Sequence, residues 1–330
     1  MPMILILYFV LSSFFLLFPN VLEIVVACRN RAKTSSFFYY FIAQNVVSLI
    51  SYFFYNLLWR LTLYPEYNGF FILMDKGIGR WIHAPLLYLG VVHEFILAFI
   101  AIDRVFVVVH DIHHKMNWKR LFYVSILMSF GFAFLVTWQT FFRDVAFFAL
   151  KHNNTTVIVS ALVDGGPEIK LAVNMSAALM TNTVISLGCY AAAYIYWKRK
   201  WTNSISANHE LKFVWLALFS FISTLPLTIH QLIFTYTSFA GIRWAEEPLI
   251  FMFQLLPWLV DLKYFAVVYI VVGMSKSFRN ECIKTVKDGF RYIVPTTLST
   301  SINNNVNVTP IIVTQRLTPS QPTTETTANQ

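Results

Sequence analysis

The segment AIDRVFVVVHDIHHKMNWKR contains two groups of residues whose types and spacing could do chemistry. His110, His113 and His114 have the H-x-x-H-H spacing of one histidine box in membrane-bound di-iron oxygenases, whose iron ligands lie in a cytosolic loop. Asp103 and Arg104 follow a long apolar run, so they lie at the end of a membrane helix if that run spans the bilayer. The first group predicts a metal enzyme, and the second indicates a helix that ends in a charged pair.

A di-iron site needs about eight histidine ligands clustered on one side of the membrane. The chain has eight histidines in total. The helices assigned below put three of them on the outer side: His83, His152 and His230. Only His209 joins the H-x-x-H-H group on the inner side, and four nitrogens without clustered carboxylates do not form that site. We therefore expect no di-iron site and no cofactor.

A smaller metal site remains open at this point. His110 and His114 are four residues apart, so on a helix they share one face and could bind a single ion. The alternative is a short polar helix in a loop, partly protonated near neutral pH and facing lipid phosphates or a protein partner.

The composition indicates a membrane protein, because 57% of the 330 residues are apolar and only 12% are charged. Apolar runs long enough to span the bilayer lack the alternation of barrel strands, so the predicted fold is all-α: a bundle of seven transmembrane helices. The predicted spans are residues 3–27, 37–59, 81–107, 121–142, 171–197, 213–240 and 249–272. A cleaved signal peptide in place of the first span is disfavoured, because that run has no basic start.

Most of the 25 Lys and Arg residues fall in segments that share one side of the predicted bundle, which places the N-terminus outside and the C-terminus inside. Lys263 lies within a span, whereas Arg60 is assigned to an outer loop. The net charge of +9 is then a property of the inner face, which attracts anionic membrane lipids and acidic partners and is not evidence for nucleic-acid binding.

The loops and the C-terminal segment complete this organisation. The sequons at Asn153 and Asn154 fall in the second outer loop, where glycosylation is expected. Residues 293–330 are rich in Thr, Asn, Ser and Pro, which predicts a disordered inner tail. Residues 1–292 are predicted to form the membrane domain, with a short juxtamembrane helix at its end.

Ionisable residues inside the predicted spans are candidates for function, because their burial in a membrane is costly. Glu94 in the third span and Lys263 in the seventh lie near the middle of the bilayer, and we expect them to pair across the bundle. Asp261 lies close to Lys263 but points in another direction, so these two are poor partners for each other.

Polar and aromatic side chains recur in the outer half of the predicted bundle, where a cavity open to the outside would lie. Ordinary packing, with Trp and Tyr at the membrane interface, is the other interpretation. The candidate ligand-binding residues are Trp81, His83 and Tyr88 of the third span, His230, Gln231 and Phe234 of the sixth, and Gln254 and Trp258 of the seventh. Pro226 and Pro257 interrupt the sixth and seventh spans and predict hinges there.

Several motifs carry a resemblance to a known family. The run FILAFIAIDRVFVVV resembles the inner end of the third helix of rhodopsin-like G-protein-coupled receptors, and PNVLEIVV echoes their first helix. FFYYFIAQNVVSLISYFFYNLL, the Trp118-Lys119 pair and VDLKYFAVVYIVVGMSKSFRNE are similar to segments of the nematode serpentine chemoreceptors, in the superfamily that contains class g. The chain departs from rhodopsin-like receptors at Val268 and Thr224, which replace a Pro and a Trp, and it lacks the outer disulfide.

The resemblance implies a chemosensory receptor of the plasma membrane of sensory neurons and not an enzyme. A small molecule would bind in the outer half of the bundle and activate a heterotrimeric G protein. Asp103 and Arg104 would form the switch, with Pro226 and Tyr269 as further switch residues. Cys282 is a candidate for palmitoylation, with a reduced thiol as the alternative. A histidine-dependent membrane enzyme and a ligand-gated channel or transporter are the rival functions.

Overall fold

The computed structural model describes most of the chain. The described residues are 2–30, 36–63, 65–74, 76–110, 118–152, 155–163, 165–200, 205–239, 246–274 and 276–293. Four residues singled out above, together with most of the C-terminal tail, lie outside these ranges: His113, His114, Asn153 and Asn154. The metal-binding, glycosylation and disorder hypotheses for them therefore stay predictions.

The first half of the chain contains five helices and the start of an irregular connection. The helices are α1 (Pro2–Asn30), α2 (Ser36–Tyr55), α3 (Asn68–Leu73), α4 (Lys76–His110) and α5 (Trp118–Phe142). A π-helical turn, Asn56–Arg60, continues α2, and two short 3-10 turns follow it. Single π-helical turns within helices are frequently found at functional sites.

The second half begins with a β-hairpin and continues with helices. Its elements are β1 (Val145–His152), β2 (Thr155–Leu162), α6 (Gly165–Lys200), α7 (Ile205–Ile222), α8 (Leu225–Phe239), α9 (Glu246–Met274) and α10 (Lys276–Ile293). The strands pair antiparallel, from Val145 opposite Leu162 to His152 opposite Thr155. The predicted helical class is confirmed. The hairpin was not predicted from the sequence.

Among the described residues, five helical segments are long and apolar enough to cross a membrane. They are Phe37–Arg60, Lys76–Val109, Trp118–Phe142, Lys170–Arg199 and Val214–Tyr236. The last includes both α7 and α8, and α1 and α9 are each 29 residues long. The protein is therefore a membrane-spanning helical bundle, while the number seven and the orientation remain predictions.

Residues 1–285 form one compact unit, in which α4 occupies the centre. This helix packs against α2, α5, α6, α7 and β1. One buried apolar cluster lies near the hairpin and includes Tyr52, Phe147 and Val260, and a second includes Phe41, Leu97 and Phe278 of α10. We call the corresponding halves of the bundle the hairpin end and the α10 end. A second unit begins at Val286, within α10.

Helix α5 shows the inside-out pattern expected in lipid. Its buried positions are small or polar and recur at helical spacing: Ser125, Ser129, Ala133, Thr137 and Thr140. The hydroxyls of Ser125, Ser129 and Thr137 donate to backbone carbonyls four residues earlier, at 2.8–2.9 Å, so they are satisfied within the helix. Large residues such as Leu127 and Leu135 are exposed on the other face. Small side chains let neighbouring helices approach closely, while the apolar face meets lipid.

The sixth predicted span is interrupted where the sequence places Pro226. Helix α7 ends at Ile222, a turn follows at Ser223 and Thr224, and α8 begins at Leu225. The backbone N–H of Thr224 donates to the carbonyl of Phe221 at 2.9 Å, which tightens the last turn of α7. By contrast, α9 continues through Pro257. Pro226 therefore lies in the first turn of a new helix, where its missing N–H costs little.

The hairpin packs closely on the start of α4, at Gly79. A Cβ atom placed on Gly79 would lie 2.9 Å from Cε2 of Phe147 and 3.0 Å from the carbonyl oxygen of Val145. His83 of α4 and Ser160 of β2 are in hydrogen-bond contact at 3.0 Å, and the rings of Phe147 and Phe71 lie 5.4 Å apart. Within the described residues the three cysteines are free, so packing rather than a disulfide holds this loop.

We expect Gly79→Ala to lower the thermal stability of the purified protein, because the added methyl group pushes the hairpin away at an overpacking cost of about 1–3 kcal/mol. Gly131→Ala is the matched control, since nothing lies within 4 Å of a Cβ at this helical glycine. Alanine is the better helix former at both sites by about 1 kcal/mol, so the control is expected to gain stability. Equal melting temperatures for the two variants would contradict the close hairpin contact.

Candidate functional site

A cavity lies inside the bundle between α2, α4, α6, α8 and α9, and we call it the central cavity. Its empty volume is about 600 Å³, including the part open to solvent. The apolar and aromatic lining residues are Tyr55, Trp59, Leu86, Leu87, Gly90, Val91, Met175, Leu179, Leu227, Val260 and Tyr264. The polar and charged ones are Ser51, Glu94, Thr228, Gln231 and Lys263. An apolar wall with a few polar groups is the usual composition of a small-molecule site.

The charged residues of the central cavity form an ion pair. The ammonium group of Lys263 on α9 contacts Oε1 of Glu94 on α4, and both residues are buried. His93 Nδ1 lies 3.8 Å from the same carboxylate oxygen. The hydroxyl of the neighbouring Tyr264 donates to Ser51 Oγ on α2 at 2.6 Å. Adjacent residues of α9 therefore connect that helix with α4 and with α2.

A second buried ion pair starts from the same stretch of α9. Asp261 contacts the guanidinium of Arg60, which also donates to the Tyr52 hydroxyl at 3.0 Å and to Asn56 Oδ1 at 3.1 Å. Arg60 is only 3% exposed, so its assignment to an outer loop is wrong. It ends the π-helical turn of α2, and the ring of Tyr55, a residue of the cavity wall, lies 5.8 Å from its guanidinium carbon.

Of the eight candidate ligand-binding residues, the central cavity includes Gln231. His83 contacts the hairpin, the Tyr88 hydroxyl donates to the carbonyl of Phe130 on α5 at 3.2 Å, and His230 contacts the carbonyl of Met252 on α9 at 3.0 Å. The ring of Phe234 packs on Phe253. The remaining three residues are exposed on the surface of the bundle: Trp81, Gln254 and Trp258.

The contribution of α2 and α6 to the cavity was not predicted from the sequence. Ser51, Tyr55 and Trp59 lie on successive turns of α2 and its π-helical extension, a spacing of four that is visible in the sequence. Nothing distinguishes those positions from ordinary packing until α2 is placed beside α9. Met175 and Leu179 of α6 also have this spacing, but apolar residues at this spacing are common in ordinary helix packing, so it does not identify a cavity wall.

At the other end of α4, Asp103 and Arg104 are both buried. The guanidinium of Arg104 donates from Nε to Asp103 Oδ2 at 3.2 Å and from Nη2 to the same oxygen. Its central carbon lies 5.4 Å from the ring centroid of Phe37, at the start of α2. Arg104 is thus held by a carboxylate on its own helix and by an aromatic ring of the next.

The other two residues predicted for the switch lie apart from this pair. Tyr269 is exposed, and its hydroxyl donates to the carbonyl of Phe15 on α1 at 3.1 Å. Pro226 lies in the first turn of α8, one residue before Leu227 of the cavity wall.

Helix α10 packs on the α10 end through Phe278 and Cys282. The ring of Phe278 lies 6.4 Å from that of Phe38 and 6.3 Å from that of Phe41. Burial, together with the nearby charges of Glu23 and Glu281, raises the pKa of the Cys282 thiol to about 11. Palmitoylation needs an accessible thiolate, so acylation of Cys282 would require α10 to move from this position.

Within the described residues, no group of three or more His, Cys, Asp or Glu side chains is arranged to hold a metal ion. His113 and His114 lie outside the described residues, so the hypothesis that His110 and His114 bind a single ion stays a prediction.

We expect Asp261→Asn to lower the free energy of unfolding by about 3–5 kcal/mol, because it removes the carboxylate from a buried guanidinium. The double variant Arg60→Met/Asp261→Leu should recover most of that loss, since apolar side chains can replace both charges. Thermal unfolding in detergent measures both. The control is Asp144→Asn, whose partner Arg80 lies 3.8 Å away in an exposed pair worth less than about 1 kcal/mol. A double variant no more stable than Asp261→Asn would contradict this account.

Comparison with protein-family models gives a match over nearly the whole chain. The model of the Srg family chemoreceptor matches residues 3–282. This range includes the central cavity, the hairpin, Arg104 and the beginning of α10. No curated protein matches the chain significantly.

Proposed function

Because the chain belongs to the Srg family, a family of nematode serpentine chemoreceptors with several membrane-spanning helices, we propose that it binds a small molecule in the central cavity and activates a heterotrimeric G protein. The observation that carries the proposal is the cavity itself, with its apolar wall and its buried Glu94–Lys263 pair.

We propose that the hairpin end faces the outside and the α10 end faces the cytosol. The bias of Lys and Arg toward the segments next to the α10 end supports this orientation. In this orientation Asn153 and Asn154, which lie between β1 and β2, would be glycosylated. The plasma membrane of a sensory neuron is the location that suits a receptor for external molecules, and anionic lipids of the inner leaflet would contact its basic inner face.

The route from ligand to G protein runs along helices that contact both ends of the bundle. Helix α4 carries Glu94 in the cavity wall and Arg104 ten residues later, about 15 Å along the axis. Helix α2 carries Tyr55 in the cavity wall and Phe37 against Arg104. A ligand that favours one packing of α2 and α4 at the α10 end would therefore change the restraint on Arg104.

The break between α7 and α8 supplies the second part of this mechanism. Thr228 and Gln231 of α8 line the cavity, while Leu216, Ala217 and Ser220 of α7 line a smaller space of about 230 Å³ beside Phe37. The turn at Ser223–Thr224 lets the two helices change their mutual angle. Movement of α7 away from α2 would open the α10 end for the G protein.

The decisive experiment measures ligand-dependent nucleotide exchange on a G protein by the purified receptor in lipid nanodiscs, after a screen of odorants. We expect Arg104→Ala to abolish exchange and to leave ligand binding within about twofold, because Arg104 lies far from the cavity. Arg120→Ala, which removes an exposed arginine at the start of α5, is the control. Exchange that survives in Arg104→Ala would remove Arg104 from the switch.

We expect Phe37→Leu to raise ligand-independent exchange by about fivefold, because the lost cation–π contact with Arg104 is worth about 1 kcal/mol. Phe38→Leu is the matched control, since the ring of Phe38 stacks on Phe278 of α10. Both variants are compared at equal receptor density in the membrane. Equal basal exchange in the two variants would contradict a specific restraint of Arg104 by the Phe37 ring.

A further inference from the structure

The central cavity contains two opposite charges that cancel. Glu94 and Lys263 contact each other. The other polar groups of the lining residues are hydroxyls, one amide and one indole N–H, on Ser51, Tyr55, Trp59, Thr228, Gln231 and Tyr264. The charges of the second pair, Arg60 and Asp261, also cancel. These two ion pairs therefore leave no net charge beside the cavity. His93, which touches Glu94, is fully buried.

Charge balance restricts what this cavity can accept. A ligand ion inside a buried, largely apolar space loses its hydration and must find a counter-charge there. The carboxylate of Glu94 already neutralises Lys263. An ionic ligand that paired with one of these two residues would leave the other without its partner. A ligand carboxylate would leave Glu94 without its cation, and a ligand ammonium would leave Lys263 without its anion. Ions of either sign are therefore disfavoured.

A neutral polar group fits the ion pair without separating it. The ammonium group of Lys263 has three N–H donors, and Glu94 has four acceptor sites on its carboxylate. A ligand group with both a donor and an acceptor can hydrogen-bond to the two charges side by side. Leu86, Val91 and Leu227 supply apolar wall for the rest of the molecule.

We propose that the ligand of the central cavity is a net-neutral amphiphile, with an apolar body and one dipolar head group such as an amide or a hydroxyl, and that the Glu94–Lys263 pair selects against ions. This rests on the proposed function only in that a ligand occupies this cavity. The ion pair is then a specificity determinant, not only a structural link between α4 and α9.

The first experiment measures direct binding to the full-length receptor in nanodiscs at neutral pH, without a G protein. The probes are straight-chain primary amides from butanamide to decanamide, with the carboxylates and alkylammonium ions of the same chain lengths. We expect the best amide to bind at least about tenfold more tightly than either ion of its length, since an uncompensated buried charge is costly. Equal or tighter binding of either ion, or no binding of any amide, overturns the proposal.

The second experiment changes the charge of the cavity. Glu94→Gln leaves a net positive cavity, so the preference should shift by about tenfold or more toward carboxylates, and Lys263→Met should shift it toward alkylammonium ions. The double variant Glu94→Gln/Lys263→Met is neutral again and should prefer amides. Glu66→Gln, at an exposed position, is the control. An unchanged preference in either single variant that folds overturns the proposal, and so does a double variant that prefers an ion. If one single variant fails to fold, the other decides.

These readouts separate the inference from the proposed function. Amide binding without nucleotide exchange would contradict G-protein activation and leave the ligand class intact. Exchange driven by a carboxylate that binds the cavity would support the receptor function and overturn the ligand class.

Discussion

Two buried ion pairs that leave α9 in different directions are the constraint on which the hairpin end of the bundle depends. Asp261 binds Arg60 on α2, and Lys263 binds Glu94 on α4, so charges two residues apart connect one helix with two neighbours. A charge left unpaired in this environment would cost more than most single contacts contribute. The three helices therefore keep a fixed register, and the space that remains between them and α6 and α8 is the central cavity.

The same helices lead to the α10 end, where the contacts are of another kind. There the Asp103–Arg104 pair lies within one helix, and the ring of Phe37 packs against the guanidinium. Because Asp103 moves with Arg104, this pair does not hold α4 to a neighbour. The contacts between helices at this end combine aromatic packing with single hydrogen bonds, such as that from the Tyr40 hydroxyl to Ser125 Oγ at 3.0 Å, and such contacts are easier to exchange than buried ion pairs. A rigid ligand site and a more adaptable coupling site are thus built on the same two helices.

The hairpin illustrates how packing replaces a covalent link. The outer disulfide of rhodopsin-like receptors is absent. In the structure, Gly79 lets the backbone of β1 approach α4, and contacts of Phe147 and Ser160 complete the attachment. A glycine in an apolar helix gives no sign of its partner, because the need for a missing side chain arises only when another chain segment lies against it.

The sequence by itself determined the membrane class, the helical architecture and the ionisable residues within the spans, because the cost of burying polar groups in lipid acts on every segment locally. It also carried the resemblance that the family match confirms over residues 3–282. The tertiary structure decided which polar residues share a cavity and which face lipid, separating Gln231 from Trp258 and bringing Ser51 and Tyr55 to the site. It also moved Arg60 from a supposed loop into the core. Helical periodicity specifies which residues share a face. The helix that packs against that face is a segment distant in sequence, so a local pattern does not predict it.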